Sequence, residues 1–144
     1  MKNCTRIISL ILIVAILTPL NVFAEEDVAP YGSNYFSATE TYIYRINGNT
    51  IGVWFYALAK REMDQLGASY IQIERSADKQ NWTSVATYTS LNYSQLMSSG
   101  VYQHGNYVPY VATYGYYYRA YVRFCAKEDG ATAYFSWYTN PFYV

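Results

Sequence analysis

Five tyrosines and two arginines, placed at alternating positions of three predicted strands, are the side chains best suited to chemistry. Successive side chains of a strand point to opposite faces, so this spacing gathers them on the outer face of one sheet, provided that Trp137 points inward. The set is Tyr70, Tyr117, Arg119, Tyr121, Arg123, Tyr134 and Tyr138. Rings with a polar edge beside guanidinium donors suit stacking on sugars, contact with a protein, or self-association.

The same residues also have a purely structural interpretation. Tyrosine favours β-sheets, and cross-strand pairs stabilise a sheet without any ligand. The pair that the alternation predicts most directly is Arg119 with Glu74. The pattern therefore supports both a binding face and a stabilising network.

Few residues of this chain could form a catalytic or metal-binding site. His104 is the one imidazole and lies in an apparent polar loop at 103–106, with no nucleophile or orienting carboxylate beside it. A glycosidase needs two carboxyl groups about 5 to 10 Å apart. The candidates fall mostly at predicted turns: Glu40, Glu62, Asp64, Glu74, Asp78, Glu128 and Asp129. We therefore expect no enzymatic activity, no cofactor and no metal site.

The first residues of the chain are typical of a signal peptide. Basic residues precede an apolar run at 7–17, and Val22-Phe23-Ala24 resembles a small-residue cleavage site. We predict a signal peptide at 1–24, a flexible segment at 25–33 and a single domain at 34–144. The sequence thus predicts a secreted protein without a membrane anchor after cleavage.

Charge and cysteine content narrow the range of partners. The chain has 10 basic and 10 acidic residues, and loss of Lys2 and Arg6 with the signal peptide leaves an even scatter without basic clusters. Nucleic-acid binding rests on such clusters, so no nucleic-acid partner is expected. Cys4 also leaves, so Cys125 would be the one thiol. It falls on the outward phase of its strand, yet we expect it to be buried, as most unpaired cysteines are.

Period-two alternation of Tyr, Val, Ile, Thr and Phe recurs along the chain and predicts about seven strands. They lie at 35–46, 50–59, 69–75, from 82 onward, 101–112, 116–126 and around 133–137. Asn47-Gly48 predicts a hairpin turn, 60–67 a connector and 90–100 the one helical turn, while Pro109 indicates an edge strand or a bulge.

Strands of this number and length predict an all-β fold, an antiparallel two-sheet sandwich similar to immunoglobulin and fibronectin-type-III domains. Tyr118 resembles the tyrosine-corner residue of such sandwiches, whose hydroxyl group binds the preceding loop. The segment 70–78 followed by Trp82 resembles a hairpin that is common in them.

A narrower set of motifs resembles one family. The motifs are Met63-Asp64-Gln65-Leu66-Gly67-Ala68, then Ser76-Ala77-Asp78, Trp82, and Gly115 before Tyr118-Arg119-Ala120-Tyr121-Val122. They resemble the small secreted proteins of Gram-positive, mainly gut, bacteria catalogued as domain of unknown function 6147. The chain departs from that pattern with Asp78-Lys79 in place of Asp-Gly and with a tyrosine-rich insertion at 107–118. The resemblance implies secretion and this fold, and it carries no functional residue.

These observations predict a secreted, non-enzymatic sandwich that binds an extracellular or cell-envelope glycan, or another protein, through its aromatic sheet face. One alternative is self-assembly at the cell surface through edge strands, which the low net charge would not oppose. The other, less favoured, is an exported hydrolase that uses a carboxylate pair.

Overall fold

A computed structural model of the chain describes residues 34–144. The predicted signal peptide at 1–24 and the predicted flexible segment at 25–33 lie outside them. The strands are β1 (Phe36–Asn47), β2 (Thr50–Met63), β3 (Gln65–Ser76), β4 (Thr83–Thr89), β5 (Met97–Ser98), β6 (Val101–Val111), β7 (Tyr117–Glu128), β8 (Ala131–Tyr138) and β9 (Phe142–Tyr143). Seven of these nine strands have seven or more residues.

The strands form two antiparallel sheets. The smaller sheet has the order β1-β2-β6, and the larger sheet has the order β4-β3-β7-β8, with β5 added to β3 and β9 added to β7. The predicted all-β sandwich of about seven antiparallel strands is therefore confirmed. Over residues 34–144, no helix has the length and apolar character needed to cross a bilayer.

Apolar side chains on the facing sides of the two sheets form the core. Because side chains alternate, every second residue of β2, β3 and β7 points into it. The fully buried residues of these strands include Ile51, Val53, Phe55, Ala57, Ile71, Ile73, Ala120, Val122 and Phe124. The residues between them must point outward, and this fixes the composition of both outer faces.

Two predicted turns and the predicted edge position of Pro109 are confirmed. The β1–β2 hairpin turns at Asn47-Gly48, where Gly48 has a φ of +47°, a conformation that glycine adopts without steric cost. A one-turn 3-10 helix at Ser94–Leu96 is the helical turn expected between 90 and 100. Pro109 lies in β6, an edge strand, where its missing N–H group costs no sheet hydrogen bond.

The predicted connector at 60–67 is wrong. β2 continues to Met63 and β3 begins immediately after Asp64, so a single residue carries the chain from one sheet to the other. Met63 and Leu66 flank the corner and are buried, which anchors it, whereas the charged residues at 60–62 are exposed on the end of β2. Charged residues at an exposed strand end resemble a loop in sequence.

The predicted polar loop at 103–106 is also wrong, because these residues belong to β6 and pair with β2. His104 lies opposite Ala57, packs against the ring of Phe55 at 5.7 Å, and its Nε2 atom lies 2.9 Å from the carbonyl oxygen of Gln95. The histidine is thus a packing residue of the strand.

Tyr118 ties the start of β7 to the loop before it. The side chain is fully buried, and its hydroxyl oxygen accepts the N–H of Thr113 at 2.8 Å and donates to the carbonyl oxygen of Thr113 at 3.3 Å. The predicted tyrosine-corner interaction is confirmed. It satisfies the backbone N–H and C=O of Thr113.

We predict that Tyr118→Phe lowers the free energy of unfolding by about 0.5–1.5 kcal/mol, because loss of the hydroxyl group removes two partly buried hydrogen bonds to the backbone of Thr113. Urea unfolding followed by tryptophan fluorescence measures the change. Tyr114→Phe is the control, since Tyr114 is 62% exposed. Equal stability of the Tyr118→Phe and wild-type proteins would show that the corner contributes nothing.

Candidate functional site

All seven predicted site residues lie on the outer side of the larger sheet, and we call this surface the cationic face. The register of β3, β7 and β8 places Tyr70 opposite Arg123, and Tyr121 opposite Tyr138. Trp137 lies opposite the buried Val122, in the inward phase, so the expected orientation of β8 is confirmed. The structure therefore brings together residues that are up to 68 positions apart, from Tyr70 to Tyr138.

Arg119 lies at the centre of the cationic face, stacked between two rings. Its guanidinium carbon is 4.3 Å from the ring centroid of Trp82 and 4.2 Å from that of Tyr138. Its Nε atom donates to Oε2 of Glu74 at 2.7 Å, which confirms the expected cross-strand pair. The Glu74 side chain is only 12% exposed, so this charged hydrogen bond is partly shielded from water.

Two other cations of this face, Arg123 and Lys79, also lie over tyrosine rings. Arg123 is 5.0 Å from the ring centroid of Tyr134 and 5.8 Å from that of Tyr70, and Lys79 is 4.3 Å from that of Tyr117. These cations lie over rings on which a sugar could otherwise stack. The geometry of the cationic face favours the stabilising interpretation over the binding interpretation.

Lys79 also explains how the β3–β4 turn is made without the Asp-Gly pair of the resembled family. Its φ is +62°, in the left-handed region that costs a residue with a Cβ atom conformational energy. The Asp78 carboxylate accepts the N–H groups of Gln80 and Asn81 at 2.8 Å each, and these bonds hold its pKa well below the usual range. The contact of the Lys79 ammonium group with the Tyr117 ring also offsets part of this conformational energy.

The outer side of the smaller sheet carries a second aromatic surface, which we call the aromatic platform. It consists of Tyr42, Tyr44, Trp54, Tyr56 and Tyr107. Tyr42 of β1, Trp54 of β2 and Tyr107 of β6 lie side by side in one row across the sheet. Ring centroids are 6.3 Å apart for Tyr42 and Trp54, and 6.0 Å apart for Tyr44 and Tyr107.

Two glycines let these rings lie close to the backbone. A Cβ atom on Gly52 would be 2.7 Å from ring carbons of Tyr44. A Cβ atom on Gly105 would be 3.0 Å from the ring of Tyr56 and 3.2 Å from that of Trp54. The rings therefore occupy space that a Cβ atom at either position would need.

The platform differs from the cationic face in charge, and its rings are partly exposed. Among residues 34–144, no Lys or Arg lies over its rings, and Tyr42 and Tyr107 are 48% and 40% exposed. Burial raises the pKa of Tyr44, and the neighbouring Tyr107 and Tyr42 raise it further. This hydroxyl group therefore stays protonated at neutral pH and can both donate and accept hydrogen bonds.

The sequence contained a partial signal for the platform. Alternation placed Trp54 and Tyr56 opposite the core face of β2, and Tyr42 and Tyr44 have the same spacing in β1. The hairpin turn at Asn47-Gly48 could have brought these pairs together. Tyr107 joins them only because β6 pairs with β2, and alternation within strands cannot reveal this non-local pairing.

The described residues offer little for catalysis. Within 34–144, no group of three or more His, Cys, Asp or Glu residues is placed to hold a metal ion. Hydrogen bonds from Arg61 lower the pKa of Glu128, the opposite of the shift that a general acid needs. Cys125 is 1% exposed, which confirms its predicted burial.

Comparison with known proteins finds no matching family model, no matching curated protein and no matching solved structure. The resemblance to the secreted bacterial family therefore stays a prediction.

We predict that Arg119→Lys lowers the free energy of unfolding by about 1–2 kcal/mol, because an ammonium group cannot stack between two rings and bond Glu74 at once. Thermal unfolding followed by circular dichroism measures the change. Arg61→Lys is the control, since the Arg61 side chain is 56% exposed and we expect little change there. An unchanged melting temperature for Arg119→Lys would contradict the stabilising role of the cationic face.

Proposed function

We propose that this protein is secreted and binds a neutral polysaccharide, outside the cell or in the cell envelope, through the aromatic platform. The predicted signal peptide supports secretion. The observation that carries the proposal is the set of platform rings, over which no cation of residues 34–144 lies, with Tyr44 close to Gly52 and with Trp54 and Tyr56 close to Gly105.

The dimensions of the platform favour a chain of sugars over a single sugar. Tyr42, Trp54 and Tyr107 occupy three neighbouring strands, and strands lie about 4.8 Å apart, so the row spans roughly 10 Å. The apolar C–H faces of pyranose rings would stack on these side chains. Hydroxyl groups of the tyrosines would bond to the sugar hydroxyls at the edges.

Charge favours an uncharged glycan. Across the platform residues and their strand partners, Glu40 is the one charged residue in register, opposite Tyr56 at the edge of the row. Binding an anionic glycan would need cations, which this face does not present among its platform residues. Stacking on neutral sugars needs none.

Self-assembly is the second candidate function, and one observation favours it. β8 is an edge strand of the larger sheet, and none of its residues, Ala131–Tyr138, is charged. Uncharged edges are competent to pair with another strand. The catalytic alternative has no comparable support, because hydrogen bonds lower the pKa values of Asp78 and Glu128, whereas a general acid needs a raised pKa.

We predict that Tyr42→Ala and Trp54→Ala each weaken binding to an insoluble neutral polysaccharide about tenfold, equal to about 1.4 kcal/mol per lost ring contact. Co-sedimentation with cellulose, chitin and insoluble mannan, at low and high salt, measures the bound fraction. Tyr138→Ala is the matched control, since Tyr42 and Tyr138 are both 48% exposed but lie on different sheets.

Retention that survives high salt and is lost only in the platform variants supports the proposal. Loss in Tyr138→Ala with retention in Tyr42→Ala would assign binding to the cationic face instead. Absence of the wild-type protein from all three pellets would overturn the proposed glycan binding. Circular dichroism of each variant separates loss of binding from loss of fold.

A further inference from the structure

A cleft on the larger sheet forms a second candidate site, separate from the aromatic platform. It lies at one end of the cationic face, where β3, β7 and β8 meet the segment that follows β4. Its volume is about 270 Å³. Small-molecule sites are usually roughly 300–1,000 Å³, so this cleft suits one small group.

The charge of the cleft wall indicates an anionic ligand. Arg123 and Lys127 line it, and none of its described lining residues is Asp or Glu. The Arg123 guanidinium lies over the rings of Tyr70 and Tyr134, and its Nε atom donates to Oγ of Ser69 at 3.1 Å. These contacts hold the guanidinium plane in one orientation, which lowers the entropy lost when a ligand binds.

The uncharged part of the wall indicates that the ligand is more than a simple ion. Ser69, Ser90 and Tyr134, which carry hydroxyl groups, line the cleft together with the apolar residues Leu91 and Met97. Leu91 is 97% exposed, an unusual position for an apolar side chain of its size. Inorganic phosphate or acetate would leave the apolar wall unused, whereas a sugar ring presents both hydroxyl groups and C–H faces.

We propose that this cleft binds a sugar acid, with the carboxylate between Arg123 and Lys127 and the pyranose ring against the hydroxyl-bearing and apolar side chains. Arginine and lysine both form charge-assisted hydrogen bonds with carboxylates. The site is independent of the platform, which lies on the other sheet and carries the proposed binding of neutral polysaccharide.

The first test titrates the protein with glucuronate, glucose, acetate and inorganic phosphate, and follows backbone amide signals by NMR. We expect glucuronate to shift the amides of Ser69, Ser90 and Lys127 in a saturable manner. Each of the other three probes should bind at least about tenfold more weakly, because each lacks either the charge or the ring. Glucose, acetate or phosphate binding as tightly as glucuronate would overturn the assignment to a sugar acid.

The second test compares Lys127→Ala with Lys60→Ala. Both lysines are exposed, but only Lys127 is part of the cleft wall, so neither change should unfold the protein. Lys127→Ala should weaken glucuronate binding about tenfold and reduce its dependence on salt, whereas Lys60→Ala should leave both unchanged. Full glucuronate affinity in Lys127→Ala would overturn the proposal, whatever the outcome of the polysaccharide sedimentation.

Discussion

The antiparallel pairing of β3 with β7 determines which side chains of the larger sheet face the core and which face solvent. In that register, Ile71 lies opposite Val122, and Glu74 lies opposite Arg119. A shift of one residue would turn charged groups into the core and the apolar set into water, which makes the register strongly specified. The Arg119–Glu74 hydrogen bond and the Tyr118 corner both depend on this one alignment. The cationic face is therefore a direct result of how the core is built.

Tyrosine serves two different purposes on the two sheets. On the larger sheet, rings and guanidinium groups alternate and satisfy each other, so the ring faces are largely occupied. On the smaller sheet, rings lie over Gly52 and Gly105, and no cation lies over them among the described residues. Similar residue types thus produce a network of stacked rings and cations on one side, and a surface of rings without cations on the other. The difference arises from the residues interleaved with the tyrosines: arginine in β7, and glycine in β2 and β6.

Alternation within strands was sufficient to predict the sandwich, the inward residues of β7 and the gathering of seven residues on one face. It succeeded because a half-buried strand imposes a strict period of two. It failed at 60–62, where charged residues extend an exposed strand end, and at His104, where a polar segment pairs with β2 and its ring packs against Phe55. It also did not predict the aromatic platform. The third strand of the platform pairs through positions about fifty residues apart, such as Trp54 and Tyr107. Local patterns carry no information on which distant strands become neighbours.

The position of β7 in the chain has a consequence for how the protein is made. β7 joins β3 on one side to β8 and β9 on the other, yet it begins only at Tyr117. During synthesis from the N-terminus, the apolar sides of β2 and β3 have no complete sheet to cover them until β7 has emerged. Because β7 pairs with β3 late and over a long sequence separation, folding is slow and the partial chain is prone to aggregation. Folding of the larger sheet can therefore be completed only after Tyr117–Glu128 has been synthesised, and until then the apolar sides of the earlier strands stay open to other partners.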